Sequence, residues 1–231
     1  MPFLFLIVAI FFSPFVAFAA ATVSAQISLI VGQVETRVAP ASAAKKASVG
    51  QKIQANAAII THDKSLAMIT IPDGSRIKVG PNSEVILTEI LAAHGTTPSS
   101  TVVSLVVGSL FSKVRKQEAG AKFQVRTKSA SMGVRGTEFF AAFSQKKSGE
   151  PDLWMCVHEG KVFVQDTADT KSVLVKEGEG VLIPAGKAVT DPKPYAWTKN
   201  LNWNMDTTKG ELMDTTSLDS AYKDLLDQNY D

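Results

Sequence analysis

Short apolar runs broken by turn residues recur along most of this chain, and they restrict its fold more than any single motif. They cover Ile27 to Val38, Ala57 to Ile60, Ala67 to Ile71, Arg76 to Val79, Val85 to Ile90, Val102 to Val107, Leu110 to Arg115 and Phe123 to Thr127. Phe139 to Phe143, Leu153 to Val157, Val162 to Gln165, Val173 to Val175 and Val181 to Ile183 continue the series. Clusters such as Pro72-Asp-Gly, Gly80-Pro-Asn and Pro184-Ala-Gly separate them. Runs of this length between such punctuation predict an all-β fold, a sandwich, barrel or solenoid. Val31-Gly-Gln-Val, Val107-Gly-Ser-Leu and Glu159-Gly-Lys-Val read as a recurring corner, but their irregular separations do not amount to a repeat.

The segment from Phe123 to Phe140 carries the sharpest local pattern. Phe123, Val125 and Thr127 fall on one face of a strand and Gln124, Arg126 and Lys128 on the other, which places the core under Phe123 and Val125. A Ser/Ala bend is expected next, with Gly133 and Gly136 flanking Val134-Arg135. An arginine on an apolar approach needs carboxylates or carbonyls if it is buried. Arg135 is therefore read as pinning a turn through Glu138, Asp73 or main-chain oxygens. The alternative is that Arg135 and Thr137 face a partner's carboxylate. Asp73, in Pro72-Asp-Gly-Ser, is expected to cap local backbone donors.

These stretches resemble the FecR domain family, bacterial envelope proteins named after a periplasmic regulator of iron-dicitrate uptake. The blocks are Thr61 to Ile77 with its Asp73-Gly74-Ser turn, Val107-Gly-Ser-Leu-Phe, Phe123-x-Val-x-Thr, Val134-Arg-Gly-Thr-x-Phe139, Val157 to Val164 around Gly160, and Gly178-Glu-Gly-Val-Leu-Ile. They span roughly residues 60 to 185 in the family's order. The resemblance implies a wound β-structure, solenoid or sandwich-like, with Asp73, Gly74, Gly133, Arg135, Gly136, Thr137 and Gly160 as its structural motif. It also implies an envelope protein partner, an outer-membrane receptor's signalling domain or an assembly. The anti-sigma segment and the C-terminal signalling domain of known regulators find no counterpart here, so a stand-alone FecR domain is expected.

The composition, 45% hydrophobic and 20% charged over 231 residues, supports one substantial core. Residues 2 to 20 carry no charge, and small residues precede Ala19 and Ala25. Residues 1–25 are therefore read as a secretory signal peptide cleaved after Ala19 or Ala25, giving a periplasmic or secreted protein. The absence of Lys or Arg ahead of the apolar run leaves an uncleaved inner-membrane anchor as the alternative, the one case in which membrane contact is expected. A β domain over 26–190 and a linker with an acidic tail over 191–231 complete the division. In that tail Leu218, Tyr222, Leu225 and Leu226 keep helical spacing, which predicts a short amphipathic helix.

Nothing in the sequence assembles a catalytic site. His62, His94 and His158 stand apart without metal-ligand spacing, and no nucleophile elbow or phosphate-cradling loop is present. We therefore expect no enzyme activity, metal or cofactor. Cys156, the one cysteine, lies in Leu153-Trp-Met-Cys-Val and reads as a buried thiol. Lys113 to Lys147 carries nine basic and two acidic residues, and Asp206 to Asp231 seven acidic and two basic. Without interleaved aromatics the basic run argues against nucleic acid, leaving anionic envelope polymers or lipid headgroups as a minor reading. The expected function is protein interaction in the cell envelope, as scaffold or sensory module, through Gln124, Arg126 and Lys128 and the tail positions Leu218, Tyr222 and Leu225. Tyr195, Trp197 and Trp203 read as a lid over the core, and envelope glycan binding through them, if the rings are exposed, is the alternative function.

Overall fold

The computed structural model describes residues 23–38, 42–94, 96–145, 151–168, 171–184 and 187–215. Over these residues the protein is all-β, and its one helical element is the 3-10 turn Ala196–Asn200. The predicted tail helix lies outside the described residues, as do residues 1–22 of the leader.

The strands follow the alternating runs. They are β1 (Ala25–Val31), β2 (Val34–Arg37), β3 (Lys45–Lys46), β4 (Lys52–Ile53), β5 (Ala57–Thr61), β6 (Leu66–Thr70), β7 (Arg76–Val79), β8 (Glu84–Leu91) and β9 (Ser100–Val114). The second half adds β10 (Lys122–Arg126), β11 (Ala130–Val134), β12 (Thr137–Gln145), β13 (Pro151–Glu159), β14 (Lys161–Asp166), β15 (Ser172–Lys176), β16 (Glu179–Ile183) and β17 (Lys193–Pro194).

Pairing arranges them in two sheets. Sheet I runs β4-β1-β6-β7-β9-β12-β13-β16-β17, antiparallel throughout. Sheet II runs β3-β2-β5-β8-β9-β10-β11-β14-β15, with the β9–β10 pair parallel. Among the described residues the system is open, because β4, β17, β3 and β15 are edges. β9 belongs to both sheets, Ser100 to Val107 pairing with β8 and Leu110 to Lys113 with β7 and β12. The passage is made at Gly108, whose φ is 92°. A Cβ there would lie 2.1 Å from Ser83 Oγ and 2.5 Å from Ser83 Cα, so only glycine fits.

Three local expectations are corrected. The runs on either side of Gly108 form one strand rather than two, since glycine redirects the strand without ending it. The single run Ile27 to Val38 divides into β1 and β2 at Gly32, whose φ is 71°. The Ser/Ala bend is confined to Lys128 and Ser129, and the residues after it, Gly133 included, form strand β11, held between β10 and β14. Its low intrinsic β-propensity is overridden by two flanking ladders.

One core lies between the inner faces. Ile27, Ile69, Ile77, Phe139, Met155 and Val181 of sheet I share a cluster with Ile59, Leu87, Val103, Phe123, Val125, Met132 and Val164 of sheet II. Each such side chain contributes about 1.5–3 kcal/mol by leaving water. A second cluster covers the outer face of sheet I, where Leu66, Met68, Phe111, Phe140, Trp154, Cys156 and Leu182 pack under Tyr195, Leu201, Met205 and Leu212. Residues 195–213 are thus a strap across sheet I. Its presence explains why Leu153-Trp-Met-Cys-Val is apolar on both faces. Phe140 lies between Phe111 at 4.5 Å and Trp154 at 4.9 Å, and Trp203 of the strap meets Phe111 edge-on at 5.3 Å.

Lys78, 1% exposed, fastens the strap. Its Nζ donates to the carbonyls of Asn202 at 2.5 Å, Asn204 at 2.9 Å and Leu212 at 3.2 Å, and sits 4.1 Å over the Phe111 ring. Three acceptors match the three donors of an ammonium group.

Candidate interaction surface

The strap covers the outer face of sheet I from β6 to β16, but among the described residues nothing comparable covers sheet II. Because Val162 and Val164 point into the core, Phe163 points outward, and by the same alternation Leu174 stands opposite Val175. The register aligns Gln124 with Gly133, Gly133 with Phe163, and Phe163 with Leu174. Phe163 is 49% and Leu174 44% exposed, forming an apolar pair beside the flat spot left by Gly133. The next row aligns Arg126, Ser131, Gln165 and Ser172. An aromatic centre with a polar rim is the composition of an interface hot spot. β15 pairs only with β14 among the described residues, so its far side is an edge beside this patch.

The predicted docking residues Gln124, Arg126 and Lys128 are on this side. Arg126 Nε donates to Gln124 Oε1 at 2.9 Å, and Gln124 Nε2 donates to Ser131 Oγ. Arg126 and Lys128 are exposed. Leu218, Tyr222 and Leu225 lie outside the described residues. Phe163 and Leu174 escaped the sequence reading, although alternation in Lys161-Val-Phe-Val-Gln already placed Phe163 opposite two core valines.

Most of the motif residues gather elsewhere, at the strand ends. Asp73 Oδ1 accepts from Ser75 N at 2.7 Å, and Asp73 Oδ2 accepts from Gln117 Nε2 at 2.8 Å. Arg135 Nε donates to the Gln117 carbonyl at 3.0 Å, so Gln117 connects the two turns. A Cβ on Gly160 would lie 2.8 Å from the Gly136 carbonyl oxygen, which shows how closely the β13–β14 turn approaches the β11–β12 turn. Gly133 is apart from this group, on the outer face of sheet II.

Arg135 pins its turn through a main-chain oxygen, the Gln117 carbonyl, which is one of the three partners expected, although its side chain is exposed. Thr137 does not face outward: it is 2% exposed and its Oγ1 donates to the Lys161 carbonyl at 2.9 Å. Glu138 instead accepts from Lys113 Nζ at 2.9 Å.

The aromatic residues near the end are placed mostly as a cover. Tyr195 is buried, and Trp203 stacks on His158 at 4.6 Å while donating from Nε1 to the Thr198 carbonyl at 2.9 Å. The Trp197 side chain lies outside the described residues. Cys156 is fully buried and burial pushes its thiol well above the ordinary range, partly countered by Thr198 and the Phe140 backbone. His62 Nε2 lies 2.9 Å from Glu35 Oε2. No group of three metal-ligating side chains occurs among the described residues.

The family model described as FecR protein matches residues 57–163, from β5 into the first half of β14. Those residues form a FecR domain. The match takes in the Asp73 turn, β9 in both sheets, and the Arg135–Thr137 and Gly160 turns, so the resemblance read from the motifs stands. Two crystal structures of a candidate anti-sigma factor from Parabacteroides distasonis ATCC 8503, at 2.50 Å and 1.65 Å resolution, share the fold. They are 21% and 19% identical to this chain, each with a TM-score of 0.52 over 73% of this chain and 72% of the other. No curated protein matches the chain.

Proposed function

We propose that this FecR-domain protein is exported to the bacterial cell envelope, where it works without catalysis as a docking module in scaffolding or signalling. The observation that carries this reading is the asymmetry of the two outer faces. Most of sheet I is covered by the chain's own strap, whereas sheet II presents Phe163 and Leu174 with Gln124 and Arg126 alongside and the β15 edge next to them. A partner strand added to β15 would extend sheet II and bring its side chains over that row. A sandwich-like, wound description of the domain is supported by the two sheets around one core and by the chain's passage between them. A signalling role is supported by the FecR match and by the anti-sigma label of the structural neighbours. The apolar leader supports export, with a partner of the envelope receptor or assembly class.

The test is a photo-crosslinking amino acid at position 163 in the native cells, with one at Lys209, on the strap, as the comparison. A discrete protein adduct from position 163 and none from 209 is the expected outcome. Adducts to cell-wall or polysaccharide material alone would replace docking by the glycan reading. That reading has lost part of its basis, because Tyr195 and Trp203 are packed on the protein itself.

A further inference from the structure

The strand ends that gather the motif turns also gather cations. A cleft of about 770 Å³ between the Gly74 turn, the end of β9 and the Arg135–Gly136 turn is lined by Arg76, Lys113, Arg115, Lys116 and Arg135. Glu138 and Glu159 are the acidic residues in its lining, which leaves a surplus of three positive charges. These cations come from three separate stretches of chain and meet only in the fold.

Internal partners fix some of them without using up their charge. Arg76 Nη1 donates to the Met205 carbonyl at 3.0 Å and Arg135 Nε to the Gln117 carbonyl at 3.0 Å. Each bond orients a guanidinium while leaving further N–H groups available. Lys113 is paired with Glu138 at 2.9 Å. Arg115 and Lys116 are exposed, and among the described residues their side chains make no hydrogen bond or ion pair. Arg115 lies across Gly74, where a Cβ would come within 2.9 Å of its Cδ and Nη1, so the glycine of the Asp-Gly turn makes room for it. Like charges held together repel one another, and a bound anion relieves that repulsion.

We propose that this cleft is a binding site for a phosphate group, free or carried on a lipid headgroup. Three guanidiniums and two ammonium groups exceed what one carboxylate can neutralise. A phosphate brings up to two charges and several acceptor oxygens, and the guanidinium fork matches them in pairs. The site lies at the strand ends, not on the outer face of sheet II, so it does not depend on the docking reading.

The experiment measures pyrophosphate binding by calorimetry on the full chain. The Arg115→Ala, Lys116→Ala pair is compared with the Arg126→Ala, Lys128→Ala pair, which removes the same charge outside the cleft. Saturable binding weakened roughly tenfold or more by the cleft pair and little by the control pair is expected. Co-sedimentation with phosphatidylglycerol vesicles, read as the difference between the two pairs because they share the apolar leader, separates the sources. Cleft-dependent sedimentation suppressed by pyrophosphate assigns a headgroup, and pyrophosphate binding without it assigns a soluble phosphate. Equal effects of the two pairs, or no saturable pyrophosphate binding together with no cleft-dependent sedimentation, would overturn the proposal.

Discussion

Lys78 shows how one residue can be read correctly in secondary structure and missed in its consequence. Arg76 to Val79 reads as a strand, which it is, but a lysine in such a run is ordinarily taken to face water. Here burial lowers its pKa from the usual 10.5 to about 8, while Asp214 and Glu138 pull the other way. The unfolded chain therefore binds more protons than the folded one between about pH 8 and 10.5, and stability rises with pH across that window. The full effect is on the order of 3 kcal/mol. Lys78→Met should remove this rise, since it leaves nothing to titrate at that position. Urea unfolding at several pH values would show it, and parallel profiles for the two proteins would mean that Lys78 is not the titrating group.

Among the elements, the strap is the one whose course could not be read locally, although its aromatic residues already read as a lid over the core. Its sequence from Tyr195 to Met213 has no strand or helix period, and its apolar residues make sense only against sheet I. Truncating Leu201 and Met205 together to alanine should cost about 4 kcal/mol or more, because both side chains fill buried sites. That loss should fall first on the strap. Cys156 beneath it, silent to a thiol reagent in the native protein, should then label while the amides of β10, β11 and β14 keep their protection from hydrogen exchange. Labelling that appears only when those amides also exchange would show that strap and sheets unfold as one unit. Elements with strong alternation behaved differently: in β10 the buried pair Phe123 and Val125 and the outward Gln124 and Arg126 were legible because the period of two needs no tertiary information.

At the level of the whole molecule, the two outer faces differ in what a mutation should do. Phe163→Ser with Leu174→Ser should cost no more than about 1 kcal/mol per site, since roughly half of each side chain is already in water, yet it should abolish capture of a partner. Chemical unfolding beside a crosslinking assay would separate these effects, and a large stability loss would recast the pair as part of the fold. The sequence by itself determined the all-β class, most strand positions and the FecR resemblance, because side-chain alternation and turn chemistry are local properties. Only the tertiary structure decided that β9 serves both sheets, that β11 is a strand, that Lys78 is buried and that Phe163 and Leu174 are not. It alone brought Arg76, Arg115, Lys116 and Arg135 to one cleft. Those outcomes depend on which face a distant segment covers and which turns meet at the strand ends, and both are set by pairing between residues far apart in the chain.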